Sequence, residues 1–231
     1  MYKVSFKANK FITELTSSTL FGALCSALSD YIGPEYIDEI YSGNESLILS
    51  DVYKNTSKNI VANFTEENRT FTECEITRKS VDNRFSYTYY MCEDTLFFLV
   101  DTTFEREVIE SIISIAFTKG IGARKSVGYG QVKLLSIEEI NDDILGAEGS
   151  AYMTLSDYIP NEDDSCKGKF TTRIIRGKTI DGVGKEPVYV VNSLSKFLGN
   201  PTNHFIGKLV KDDNTGAIIS GQSLVLRVDN E

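Results

Sequence analysis

The 231-residue sequence has no Trp, a single His and only four scattered Cys. Each scarcity closes off chemistry. With one imidazole available, a histidine acid–base pair, a Ser-His-Asp triad or a histidine metal cluster would have to be built on His204. That residue follows Gly199-Asn200-Pro201-Thr202-Asn203, a turn-rich run that favours a solvated loop. Cys25, Cys74, Cys92 and Cys166 form no Cys-x-x-Cys pair and have no neighbouring histidine. Zinc-ligand spacing is therefore missing, and reduced structural thiols are expected. No apolar run reaches the ~20 residues of a membrane span, and Met1 to Lys7 alternate polar and apolar residues without a signal-peptide core. The expectation is a cytoplasmic protein with no cofactor, no metal and no membrane partner.

Basic residues are also in short supply. Against 33 Asp plus Glu stand 24 Lys plus Arg, a formal net charge of -9. Proteins that coat nucleic acid or membranes indiscriminately carry a positive field, so this balance argues against them while leaving room for a local basic site. The length allows one large domain or two small ones, each able to bury a core without disulfides.

What is present reads as α+β. Tyr2 to Ala8 alternates like a strand. Thr19 to Tyr31 places Leu20, Leu24 and Leu28 on one helix face behind cap candidates Thr16, Ser17 and Ser18, and Gly33-Pro34 closes that helix. Ser46 to Val52 is a second strand, followed by a polar stretch, Tyr53 to Thr70. Phe85, Tyr87 and Tyr89 alternate with polar neighbours, and Leu96 to Val100 reads as a buried strand. Thr102-x-x-Glu105 matches a capping box ahead of a helix whose apolar face is Val108, Ile109, Ile112, Ile113 and Ala116. Gln131 to Ile137 supplies the next strand.

This order is the ferredoxin-like, RRM-like βαββαβ pattern with an inserted β-hairpin arm. It predicts a first domain over residues 1–140. From Leu134 to Cys166 there are nine acids and no Lys or Arg, with Gly146 and Gly149 inside the run, which places a junction near 138–150. A smaller, β-rich α+β domain is expected over residues 148–231, with strands at Ala151–Leu155, Phe170–Ile175, Val188–Val191, Phe205–Val210 and Leu224–Val228.

The segment most informative about function is Lys119-Gly120-Ile121-Gly122-Ala123-Arg124-Lys125-Ser126-Val127-Gly128-Tyr129-Gly130-Gln131. Its glycines permit positive φ angles and close backbone approach. Four basic residues and no acid lie between Lys119 and Lys133. Arg124, Lys125 and the Ser126 hydroxyl are phosphate-type donors, and Tyr129 offers a ring for base stacking. Glycine spacing alone fits a simple surface turn, because the loop follows a helix instead of opening one. The interleaved basic residues favour anion binding. Two further basic groups could cooperate: Arg78, Lys79 and Arg84 in the hairpin arm, and Lys167, Lys169, Arg173, Arg176 and Lys178, which fit equally well a charged strand face balancing the acidic run.

The loop Gly-Ile-Gly-Ala-Arg-Lys-Ser-Val-Gly-Tyr-Gly-Gln resembles the glycine-rich loop of the RAMP superfamily of CRISPR-associated proteins, which are built on ferredoxin-like folds. More of the chain is similar to one branch, the fourth subunit of the type III-A Csm effector complex. Ser17 to Leu24 looks like that branch's first-helix motif, Leu49-Ser50-Asp51-Val52 like its second strand, and Arg78 to Arg84 like its segment ahead of a hairpin. Leu155-Ser156-Asp157-Tyr158-Ile159-Pro160 resembles a weaker motif.

The resemblance implies a noncatalytic subunit of an antiviral ribonucleoprotein. Its RNA partner would be the 5′ handle of the CRISPR RNA (crRNA), and its protein partners the large signature subunit and the backbone RAMP subunits. RNA contacts would fall on Gly120, Gly122, Arg124, Lys125, Ser126, Gly128 and Tyr129, with Ser17 and Ser18 at a helix N-terminus and Arg78 and Arg84 in the arm. The rivals are a crRNA-processing endoribonuclease of the same superfamily and a stand-alone nucleotide- or phosphate-binding module. The first commonly uses a histidine near the first helix, which this sequence lacks.

Overall fold

The computed structural model describes residues 1–231 apart from 13, 80–83, 147–148, 163, 165–166, 177–182, 200, 202 and 230–231. It is a mixed α+β fold in which all paired strands run antiparallel.

The central sheet places Leu47–Leu49, Leu96–Thr102, Tyr2–Ala8 and Val132–Glu139 side by side in that order, with Tyr53–Lys54 also pairing with Leu96–Phe97. In chain order this is second, third, first, fourth. The helices Ser17–Tyr31 and Arg106–Lys119 pack together on one face, over Val4, Phe6, Phe98 and Val100. The opposite face buries Ile48, Tyr53, Phe97 and Leu99 against Met153, Leu155, Leu224 and Leu226 from the second half of the chain. Covered on both faces, Leu96 to Val100 is buried at every position. That is why this strand is uniformly apolar where a half-exposed strand would alternate. Each such side chain contributes about 1.5–3 kcal/mol of burial.

The first strand pays the same constraint with polar residues. Lys3 is buried, but its Nζ donates to Asn55 Oδ1 at 3.3 Å and lies 4.9 Å from the centre of the Phe97 ring.

Several boundaries differ from the sequence reading. The first helix begins at Ser17, with Thr16 as the cap accepting the Thr19 amide. Gly33-Pro34 ends it but also opens another helix, Glu35–Ser42, since proline's fixed φ suits a helix start. The second strand stops at Leu49. Ser50 Oγ then accepts the Leu99 amide, and the Asp51 amide donates to the Leu155 carbonyl, turning the chain toward the second half. The expected capping box does not form. Thr102 belongs to the preceding strand, its hydroxyl donates to the Ser46 carbonyl, and Glu105 occupies the cap position without a side-chain bond.

The inserted arm is a hairpin of Thr72–Lys79 and Arg84–Met91, with Lys10–Phe11 added at its base. After a 3₁₀ turn at Asp142–Leu145, the described residues of the second half contain strands and no helix. Five strands form a second sheet in the order Gly168–Lys169, Lys196–Leu198, Ala151–Thr154, Gln222–Val228, Phe205–Gly207. Its far side buries Tyr152, Tyr158, Val191 and Phe197. No helix among the described residues is long and apolar enough to cross a membrane.

Candidate nucleic-acid interface

The glycine loop is a protrusion held at its neck. The helix ends on Gly120 at φ +79°, the next residue, Ile121, is 1% exposed, and the Ile121 amide donates to the Gly130 carbonyl at 2.8 Å. The Gly130 amide donates to the Lys10 carbonyl, also at 2.8 Å. At Gly130, φ is +67° and a Cβ would run into the Ile121 carbonyl oxygen, so two reasons demand glycine there. Beyond this neck, Ala123 to Gly128 are exposed. Arg124 itself is left-handed, φ +55°, before a 3₁₀ turn at Lys125–Val127 that closes on Gly128. The sequence-predicted residues Gly120, Gly122, Arg124, Lys125, Ser126, Gly128 and Tyr129 thus share one loop, with the Arg124, Lys125 and Ser126 side chains at its exposed tip.

The loop leans on the hairpin. The Arg124 guanidinium lies 4.5 Å from the centre of the Tyr87 ring. The Tyr87 and Tyr129 hydroxyls are 3.3 Å apart, and the Tyr129 ring packs edge-on against both Tyr87 and Tyr89. Lys119, by contrast, is bound by Asp30 of the first helix. In the hairpin, Lys79 faces Arg84 and Arg78 faces Phe85 in register. Ser80 to Asn83, between them, lie outside the described residues, as do the side chains of Arg78 and Arg84.

Ser17 and Ser18 sit in a different environment. Ser17 is buried, and its amide donates to Asp51 Oδ1 at 2.8 Å. The helix N-terminus already holds an internal carboxylate where the sequence suggested a phosphate site, and such a carboxylate complements the helix dipole in the same way. The other oxygen, Asp51 Oδ2, lies 3.0 Å from Arg69 Nη2, close enough for an ion pair but without hydrogen-bond alignment. Burial pushes the Asp51 carboxyl up from about 3.8 to about 6, against the pull of Arg69.

Asp157 repeats the arrangement in the second half. It accepts the Ser193 amide at 2.9 Å and the Arg173 Nε at 3.0 Å. The two Leu-Ser-Asp runs, 49–51 and 155–157, are therefore counterparts flanking the junction of the halves, beside a cavity of about 410 Å³ walled by Leu15, Thr16, Phe71, Tyr90 and Thr171. Five carboxylates, Glu14, Asp51, Glu66, Glu73 and Asp157, outnumber its two arginines. Arg173, one of the five basic residues in the second candidate segment, is spent here, while Lys167 and Lys169 are exposed and Lys178 lies outside the described residues.

His204 is less solitary than its turn-rich context suggests: its Nε2 lies 2.7 Å from Asp101 Oδ2, linking the second half to the central sheet. Cys25, Cys74 and Cys92 are free thiols, with Cys25 pushed up to about 12 by burial, whereas Cys166 lies outside the described residues.

Sequence reasoning placed the loop but missed its partners. Tyr87 and Tyr89 registered only as strand alternation, although their spacing already put both rings on one face. The repeated Leu-Ser-Asp was visible as two separate motifs. Nothing local indicated that Arg69 would reach the first or Arg173 the second.

Comparison with known proteins adds a lineage. No curated protein matches the chain. Among solved structures, a chain of a Csm3–Csm4 subcomplex from the type III-A CRISPR-Cas interference complex aligns at TM-score 0.67 and 15% identity, covering 98% of this chain and 99% of that one. A chain of a Csm1–Csm4 cassette in complex with AMPPNP aligns at TM-score 0.58 and 14% identity, covering 100% and 99%. At such identities the likeness is one of fold. The RAMP superfamily model matches residues 4–133, from the first strand through the glycine loop to the start of the fourth strand of the central sheet, and the chain belongs to the RAMP superfamily.

Proposed function

We propose that this chain is a noncatalytic, RNA-gripping subunit of a type III CRISPR-Cas effector complex, Csm4-like in its place within the assembly. It binds the 5′ handle of the crRNA, seats the large signature subunit, caps the backbone filament and so assists self/non-self discrimination. Residues 1–140 act as a ferredoxin-like domain, consistent with the second, third, first, fourth strand order, and residues 148–231 as a smaller domain packed on it. The observation that carries the reading is the exposed basic tip of Arg124, Lys125 and Ser126, raised on a glycine neck in a chain of net charge -9. A local positive site on an acidic body favours one RNA path over indiscriminate coating. Arg78 and Arg84 of the hairpin arm are the further RNA contacts of this reading.

The test is co-expression of a tagged copy with its genomic neighbours and a CRISPR array. Guide RNA and partner subunits are expected to co-purify, and purification of the chain alone would overturn the assignment. Incubating the isolated protein with repeat RNA should leave the RNA intact. Cleavage would move the chain to the processing-nuclease class.

A further inference from the structure

The three tyrosines beside the loop belong to none of the hydrophobic cores. Phe11, Phe71 and Tyr90, on the inner face of the hairpin base, pack into the central core, whereas Tyr87 and Tyr89 point to the other face, where both meet Tyr129, Tyr87 also meets Arg124 and Tyr89 also meets Cys74. All three rings are partly exposed. Arg124 is exposed too, so the guanidinium face turned away from Tyr87 meets solvent.

Partly exposed aromatic rings and a flat cation beside a basic loop have the composition that single-stranded nucleic acid recognition uses. Bases stack on aromatic rings and guanidinium planes while neighbouring cations hold the phosphates. A loop that needed only to be pinned would do so with apolar side chains inside the core, as Ile121 already does at the neck.

We propose that Tyr87, Tyr89 and Arg124 form a stacking platform for one unpaired RNA base, braced by the edge-on Tyr129 ring, and that Lys125 and Ser126 hold the adjoining phosphate. This rests on the RNA-binding reading above and adds the residues that engage a base to those that engage the backbone. Tyr87 and Tyr89 of the hairpin and Arg124 of the glycine loop, 35 or more positions apart in the chain, then act as two halves of one subsite.

The experiment uses the full chain at low salt and short single-stranded RNAs of handle sequence carrying a fluorescent purine analogue at successive positions, with matching RNAs made abasic at the same positions. One position is expected to be quenched on binding, and the abasic change there should weaken binding about tenfold while other positions matter little. The double variant Y87A/Y89A should lose the quenching, bind about tenfold more weakly and no longer distinguish intact from abasic RNA, with an unchanged salt dependence. K125E should weaken binding and flatten the salt dependence by about 0.7 in log–log slope while keeping the quenching.

Y87F retains the ring and should retain the quenching. If it loses as much as Y87A, the contribution is the hydroxyl contact that steadies the loop and the platform is overturned. If K125E weakens binding while abasic RNAs and the tyrosine variants behave like their parents, the platform falls and the RNA-binding reading stands. If the wild-type chain binds none of these RNAs, both fall.

Discussion

Arg124 and Arg69 carry the same guanidinium, yet one is exposed above the Tyr87 ring and the other is 18% exposed and held against a carboxylate that is only 2% exposed. At the glycine loop, cations stand at the surface with no acid in the local sequence, and their field is available to a ligand. At the junction of the halves, arginines and aspartates are drawn into contact and pair with one another. The same residue type serves recognition in the first place and cohesion in the second, and what separates them is burial: a charge out of water needs a partner, whereas a charge in water can wait for one.

Substitutions should therefore separate stability from binding. The largest expected effect is R69A, which leaves the buried Asp51 carboxylate without its cation and should cost about 3 kcal/mol of folding stability at neutral pH, read by urea denaturation. Loss of less than about 0.5 kcal/mol would mean that the junction is solvated and the contrast false.

The Asp51 carboxyl itself sharpens the contrast through pH. Because burial raises it from about 3.8 to about 6, its protonated form is the better tolerated one in the fold. Its contribution is fully present below about 3.8 and is lost as pH rises through about 6. The stability of wild type minus that of D51N should accordingly fall by on the order of 2 kcal/mol between pH 4 and pH 7. A difference that is flat, or rises, would show that Arg69 and the Ser17 amide outweigh burial.

G130A forces a side chain into the Ile121 carbonyl at a positive φ and should lower stability by about 2 kcal/mol, seen as a reduced Tm, and weaken RNA binding with it. R124E/K125E should do the opposite of R69A: folding stability within about 0.5 kcal/mol of wild type, and handle-RNA binding at least tenfold weaker. The smallest effect is expected at Gly128, where φ is +90° but nothing lies within 4 Å of an added Cβ. G128A should cost about 1 kcal/mol of backbone strain and no more.

Much of this protein could be read along the chain. The first strand is legible from alternation and agrees with its observed bounds, Tyr2–Ala8. The Arg106–Lys119 helix follows from its apolar stripe, and the loop from its glycines and basic residues. The cap of that helix misled, because Thr102 satisfies the local pattern but a neighbouring strand claims it first. The Glu35–Ser42 helix was missed because Gly33-Pro34 signals a stop as strongly as a start. The junction was opaque for a different reason. Asp51, Arg69, Asp157 and Arg173 are each unremarkable charged residues in sequence, and both their pairing and the burial of the two aspartates are decided by what packs over them.

The sequence by itself determined the α+β periodicities, the absence of a zinc-type cysteine framework, the acidic balance and the basic glycine loop, because backbone preference, side-chain period and charge are local properties. Only the tertiary structure decided that the loop meets Tyr87 and Tyr89 of the hairpin, that the N-terminus of the first helix holds Asp51, and that two Leu-Ser-Asp runs about a hundred residues apart face a common junction. Those contacts depend on which faces come together when both sides of one sheet are buried, and no stretch of the chain carries that information alone.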